Sequence, residues 1–384
     1  MNKNPRDVTE LLCELIQIPS VNPTGTPGTE GVNEDSIAHY LADYLKRIGA
    51  DEVELMPVYP HRPNVRARFL GGRAQTSNGH VERIAFAPHT DTVSVLGMTI
   101  EPFKPRVADG RIYGRGSTDT KGPMAAMLWA LKTWASSPQR AQSQNEVYFL
   151  GLMGEEAGNE GAQAIARDGS VPLDFVLVGE PTEFRVVYAH KGAIWIEVET
   201  RGKACHASTP DRGKNAINEM ARFLVWFQSA FPKFLAKFKS STLGSPTFNI
   251  GTISGGSKVN IVPDRCRIEI DCRSVPGLTH TAVLRFIQKQ ARQEGWTIRT
   301  RLIGYRPPME VSPQNPWVQK LARVSRGLQT APWFCDAAIF AQRGIPAVAF
   351  GPGSIRQAHT VDEFIRQKDL EEGVKRYERF LANV

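Results

Sequence analysis

Two histidines and several carboxylates stand where apolar runs of this chain end. ERIAFAPHTD (82–91) closes on His89 and Asp91, and NEVYFLGLMGEE (145–156) closes on Glu155 and Glu156. LDFVLVGEPT (173–182) carries Glu180 at its end, and IPAVAFGPGS (345–354) runs on into GPGSIRQAHTVDE, which holds His359. Asp119, in GRGSTDTKG (114–122), precedes a helix-forming stretch. Imidazoles and carboxylates without thiolates make a borderline-hard donor set, suited to Zn and also to Mn or Co. A carboxylate bridging two such ions gives a hydrolytic centre that acidifies a water and polarises a carbonyl. A base must still take the water's proton. Of two adjacent glutamates, one can ligate while the other stays free as that base. His89 and Asp91 are two apart on an extended segment, so their side chains share a face and the carboxylate can orient the ring.

Each piece alone has an ordinary explanation. A His-x-Asp pair is commonly a satisfied surface or core pair, adjacent glutamates a solvated loop, an Asp before a helix its cap, and Gly-Glu-Pro-Thr a turn. What those readings leave unexplained is their joint arrival at the ends of separate apolar runs. In open parallel sheets, ligands bind at the carboxyl ends of strands.

The runs that carry these residues do not alternate, and helical patterns separate them. GPMAAMLWALKTWA (122–135), rich in Ala, Leu and Met, is one such pattern. This predicts an α/β fold with a mostly parallel central sheet covered on both faces. The middle of the chain differs. AIWIEVETRG (193–202) and CRIEIDCRS (266–274) alternate apolar with polar residues, which predicts a sheet with one wet face. Helical patterns near 214–231 and 280–294 complete an α+β block. The strand at 345–354 then resumes the earlier style, so the block reads as an insertion. The expected division is 1–186 with 308–384 for one domain and 187–307 for the other. TSNGH (76–80) and SSPQRAQSQN (136–145) read as loops.

At 384 residues the chain is too long for one ordinary core. No apolar run is long enough to span a bilayer. The start, MNKNPRDVTELLCELI, reads as an amphipathic helix and not as a signal peptide, so a cytoplasmic location is expected. Five cysteines without a CxxC pair suggest neither a disulfide framework nor a thiolate zinc site. The net charge of +8 is scattered, without a nucleic-acid patch, and KFLAKFKS (233–240) suits the polar face of a helix. No GxSxG elbow occurs, no GxGxxG follows the first of these runs, and GRGSTDTKG lacks phosphate-loop spacing.

Along nearly its whole length the sequence resembles the M20 metallopeptidase and deacylase family. That family includes acetylornithine deacetylase, succinyl-diaminopimelate desuccinylase and carboxypeptidase G2-like enzymes. The matching segments are PSVNPTG, APHTDTV, GRGSTDTKGPMAAM, MGEEAGNEGA, GEPT, GKACHASTPDRGKNAI, GGSKVNIVPDRCRIEIDCR and FGPG…AHTVDE. The resemblance implies a zinc-peptidase-like catalytic domain with an inserted lid and dimerisation domain. It implies one metal held by His89, Asp119 and Glu180 and a second by Asp119, Glu156 and His359. Glu155 would be the general base and Asp91 would orient His89. His206, in ACHAS, would reach a partner subunit's site and hold the oxyanion. Asn260 and Arg273 would bind substrate carbonyl and carboxylate, and Ser354 would contact substrate. Met153-Gly154 before the paired glutamates departs from the family's commoner Asp or Thr-Asp. His190 and Lys191 receive no chemistry.

The resemblance thus implies a homodimeric, two-metal amide hydrolase acting on an N-acyl amino acid. Its alternatives are a metallo-carboxypeptidase or dipeptidase on short peptides, and a non-catalytic metal-binding protein. No nucleic-acid or membrane partner is expected.

Overall fold

The four apolar runs that end in imidazole or carboxylate become neighbouring parallel strands. In the computed structural model, which describes residues 5–24, 32–74 and 81–384, they lie in the order Glu146–Gly151, Arg83–Ala87, Phe175–Gly179, Ala347–Phe350. All three contacts between them are parallel, so their carboxyl ends share one edge. Every residue of three of these strands is buried, which explains the missing alternation. Each buried Val, Leu or Phe there contributes about 1.5–3 kcal/mol.

An antiparallel pair, Glu52–Tyr59 and Arg62–Leu70, extends one side of this sheet, and Val186–His190 joins the other side antiparallel. The helix Lys121–Ala135 is buried almost throughout and packs against Val8–Gln17 and Gln367–Leu381. Its start fixes Asp119 two residues upstream.

The chain divides into two compact units. One comprises Met1–Tyr188, Val311–Gln329 and Cys335–Val384, and the other Ala189–Glu310 with Thr330–Phe334. These limits lie a few residues from 186/187 and 307/308, and the short segment 330–334 groups with the second unit. That unit is a four-stranded antiparallel sheet in the order Thr247–Gly255, Arg265–Ser274, Gly192–Arg201, Ile298–Arg306. Ile194, Ile196 and Val198 point to one face with Ile268 and Ile270. Phe223, Phe227 and Phe231, one helical turn apart on Ala216–Leu235, pack against them. Asn215 caps that helix, accepting from the backbone N–H groups of Ile217 and Asn218.

Two local expectations change. The loop expected over 136–145 contains a short helix, Pro138–Gln142. Ser137 caps it and Pro138 opens it, a start signal hidden in a polar stretch. TSNGH (76–80) lies outside the described residues. Among the described residues no helix is long and apolar enough to cross a membrane.

Candidate metal centre

The end of the Arg83–Ala87 strand continues through Pro88 into His89, whose backbone bridges to Leu152. The buried ring has its Nδ1 2.9 Å from the carbonyl oxygen of Asp91 and its Nε2 3.0 Å from Asp119 Oδ1. The other oxygen of Asp119 lies 3.1 Å from His359 Nε2, and the same nitrogen is 3.2 Å from Glu156 Oε2. Asp119 therefore turns one oxygen to each imidazole, the disposition a bridging carboxylate requires. Donor atoms of His89, Asp119 and Glu156 all lie within 4.8 Å of one another.

Asp119 is held from behind. Glu363, fully buried, accepts the backbone N–H groups of Gly116 at 2.9 Å, Thr118 at 2.8 Å and Asp119 at 3.0 Å. Arg115 Nη1 donates to the same carboxylate at 2.8 Å. One buried anion thus organises the whole approach to Asp119 and is balanced by one buried guanidinium.

The paired glutamates sit on a turn closed by Asn159, whose N–H donates to the Gly154 carbonyl at 2.7 Å. Gly154 has φ +78°, and a Cβ there would meet Glu160 Oε2 at 2.6 Å, so the Met153-Gly154 sequence suits this turn. Asp91 does more than face His89. Its Oδ1 accepts the N–H of Glu155 and its Oδ2 that of Glu156, both at 3.1 Å, while Asn22 Nδ2 donates to Oδ2 at 2.8 Å. Asn159 Nδ2 donates to buried Asp336 at 2.9 Å, which ties the turn to the residue preceding Ala337–Ala341.

The two glutamates differ in their partners. Glu156 faces His359, whereas the Glu155 carboxylate makes no hydrogen bond or ion pair to protein among the described residues. Glu180 is buried at the end of Phe175–Gly179. Ser354 bridges to Thr182 and donates its hydroxyl to Glu183. His359 has φ +61° and a side chain 54% exposed.

Five carboxylates, from Asp91, Asp119, Glu155, Glu156 and Glu180, thus share this edge with two imidazoles. Burial, with Glu180, Asp336 and Glu156 nearby, pushes Glu155 well above the usual carboxyl range. Burial and then Asp119 do the same to Glu180. Glu156 rises to about 7 through burial and Asp119, against the pull of His359. Burial opposes the charged His89 ring, but hydrogen bonds to Asp119 and Asp91 hold its pKa well above normal. His359 is raised to about 10 by Asp119 and Glu156. Positive charge is short at this edge, and Glu156 Oε1 is buried without a hydrogen-bond partner. Oxygen and imidazole donors with this charge deficit fit a divalent cation.

The remaining predicted residues lie on the second unit. Exposed His206 bridges to Ile261, and its Nδ1 lies 2.7 Å from the Ser208 hydroxyl and 3.2 Å from the Ser208 backbone nitrogen. The Asn260 carbonyl accepts the Ala207 N–H at 3.1 Å, which joins the two loops. Arg273 forks onto Asp271 at 2.9 and 3.1 Å and lies 5.7 Å from the centre of the Phe334 ring.

Sequence reasoning assigned no part to Asn22, Arg115, Asn159, Asp336 or Glu363. Asn22, Arg115, Asn159 and Glu363 fall inside segments that carry the family resemblance, the one signal that could have marked them, and Asp336 falls outside them.

Parallel strand ends that converge imidazoles and carboxylates around an aspartate facing two histidines fit a metal-dependent hydrolase on an α/β scaffold. The chain belongs to peptidase family M20/M25/M40, whose model matches residues 85–383. It is 29% identical over 371 residues to an acetylornithine deacetylase of Proteus mirabilis (strain HI4320), covering 94% of this chain and 92% of that one. Its fold is shared with an M20 family metallo-carboxypeptidase from Sulfolobus solfataricus, with TM-score 0.79, 19% identity and coverage of 98% and 99% of the two chains. It is also shared with a dinuclear metal-binding M20 peptidase of Bacillus subtilis, with TM-score 0.70, 15% identity and coverage of 98% and 97%. The protein is accordingly a metal-dependent amide hydrolase.

Proposed function

We propose that this enzyme hydrolyses the amide bond of an N-acyl amino acid or a related small amide bearing a free carboxylate. His89, Asp119 and Glu180 would hold one divalent ion and Asp119, Glu156 and His359 a second, zinc in the first instance with cobalt or manganese as substitutes. When bound, the ions supply polarisation of the scissile carbonyl and acidification of a water. Glu155 takes the proton of the attacking water and returns it to the departing nitrogen. Asp91 holds His89 and the backbone of both glutamates. His206, on the second unit, would reach the site of a partner subunit and donate a hydrogen bond to the carbonyl oxygen as negative charge builds there. Arg273 pairs with the substrate carboxylate, Asn260 with its carbonyl, and Ser354 contacts substrate. The protein would act in the cytoplasm as a homodimer joined through the second unit.

The observation that carries this reading is the inequality of the two glutamates: Glu156 is engaged by His359, while Glu155 is buried among like charges with its carboxylate unengaged. A buried carboxyl with a raised pKa is suited to move protons near neutrality. The test is Glu155→Gln. Metal content should persist while turnover falls by roughly 10²–10⁴, and retained turnover would overturn the assignment. The 29% identical deacetylase favours deacylation. Peptidases among the structures of shared fold keep carboxypeptidase or dipeptidase action as the second reading. A panel of N-acetyl, N-succinyl and dipeptide amides separates the two.

A further inference from the structure

The wet face of the second unit's sheet is layered by charge. Glu197 and Glu199 lie at its base, with side chains 9% and 5% exposed. Arg201, Arg265, Arg267 and Arg301 close over them. Arg267 reaches Glu197 at 3.1 Å, Arg301 reaches Glu197 at 3.0 Å and Arg201 reaches Glu199 at 2.7 Å, with Arg265 on the same carboxylate. These residues, with Arg299 and Thr300, line a concavity of about 510 Å³.

An ion-pair network that served only the sheet would balance its charges. Here five guanidiniums and two carboxylates line the concavity, and even with Glu269, opposite Glu197 in the strand register and felt by Arg301, the positive charges are in excess. Arg299 stands across from Glu199 in the strand register yet forms no ion pair among the described residues. Arg201 and Arg265 are directly opposed in the register, a like-charge pairing that costs stability on its own. Both give Glu199 their Nε, which leaves their terminal nitrogens without a protein partner among the described residues. Their side chains are 39% and 56% exposed. Burial works against the Glu199 carboxylate, but Arg201 and Arg265 hold its pKa down to about 2, so the anchoring charge persists at any physiological pH.

We propose that this arginine-lined concavity binds a compact oligophosphate anion through the outward guanidinium edges of Arg201, Arg265, Arg299 and Arg301. Guanidinium forks match phosphate oxygens in pairs, and Arg201, Arg265 and Arg301, already held by Glu199 and Glu197, lose little freedom on binding. A concavity of this size suits a diphosphate or triphosphate better than an extended acidic peptide. No aromatic side chain lines it to stack a base, so the phosphate groups carry the recognition.

The experiment is calorimetric titration of the metal-loaded enzyme with sodium pyrophosphate, beside Arg299→Glu and Arg299→Ser. Arg299 makes no ion pair, so Arg299→Ser should unfold at the wild-type temperature, whereas Arg299→Glu sets a like charge opposite Glu199 and is read below its own unfolding temperature; Arg265→Ser provides an independent second position. Pyrophosphate also chelates divalent ions, but chelation would be equal in every chain, so the readout is the difference between them. Binding at one site per chain, weakened about tenfold or more in Arg299→Glu and weakened by added salt, supports the proposal. An ADP arm separates the sources: equal affinity points to free diphosphate, tighter binding to a nucleotide. Affinity unchanged in the variants, no binding to wild type, or tighter binding of polyglutamate than of pyrophosphate would each overturn it.

Discussion

The carboxylate of Glu363 accepts the backbone N–H of Asp119 at 3.0 Å across a separation of 244 positions. The same carboxylate holds Gly116 and Thr118 and pairs with buried Arg115. Asp119, the bridging residue of the proposed metal centre, is therefore positioned by a loop anion from the C-terminal part of the chain. Glu363→Gln keeps the shape but removes the charge, leaving Arg115 buried and unpaired. Breaking one side of a buried pair costs about 3–5 kcal/mol. Urea denaturation should show a loss of that order, and metal analysis a drop in occupancy. Wild-type stability in the variant would contradict this account.

Asp91 makes a second prediction. Both its oxygens accept N–H groups, from Glu155, Glu156 and Asn22. In Asp91→Asn one oxygen becomes an NH₂ group that must face a donor. The turn bearing the glutamates should shift, and metal affinity should fall about 10–100-fold, the usual effect of losing a carboxylate behind a ligand. Competitive titration against a metal-sensitive dye reads this directly. A variant that lost activity with unchanged metal affinity would place Asp91 in another role.

Chelation should cost stability as well as activity. A cation that binds the folded chain at a hundredfold excess over its dissociation constant stabilises it by about 3 kcal/mol. Treatment with EDTA should therefore lower the unfolding temperature, and adding back zinc should restore it. An unfolding temperature indifferent to EDTA would mean that the carboxylates at this edge do not depend on a cation.

A pH effect should come from His190, which lies away from the metal centre in sequence and on the second unit. Its ring is fully buried, Nδ1 is 2.9 Å from the Lys191 carbonyl, and it stacks on Trp333. Burial lowers its pKa from 6.5 to about 4. The unfolded chain thus takes up the proton first, so this stabilisation is complete above pH 6.5 and fades as pH falls towards 4. Over the whole window the change is about 3 kcal/mol. His190→Asn removes the titration. The stability gap between wild type and variant should narrow from neutral pH to pH 5, whereas a constant gap would refute the account.

Much of this is legible in the amino-acid sequence. His89, Asp119, Glu155, Glu156, Glu180 and His359 can be grouped because buried parallel strands read as unbroken apolar runs whose polar ends share an edge. The short helix Pro138–Gln142 escapes because five residues give too little periodicity to set against a polar stretch. Glu363 and Asp336 escape for a different reason. A lone acid in a loop carries no pattern, and its partners lie far away along the chain.

The sequence by itself determined which residue types are available, where apolar runs stop, and that one block alternates while the other does not. These are local properties, set by side-chain chemistry and by the two-residue and 3.6-residue repeats of strand and helix. Only the tertiary structure decided which oxygen meets which nitrogen. Asp119 turns its two oxygens to two histidines, Asp91 takes the N–H groups of both glutamates, and Glu156 is engaged while Glu155 is not. Such choices depend on burial, which makes every unpaired charge costly and so selects one arrangement among many that the spacing allows.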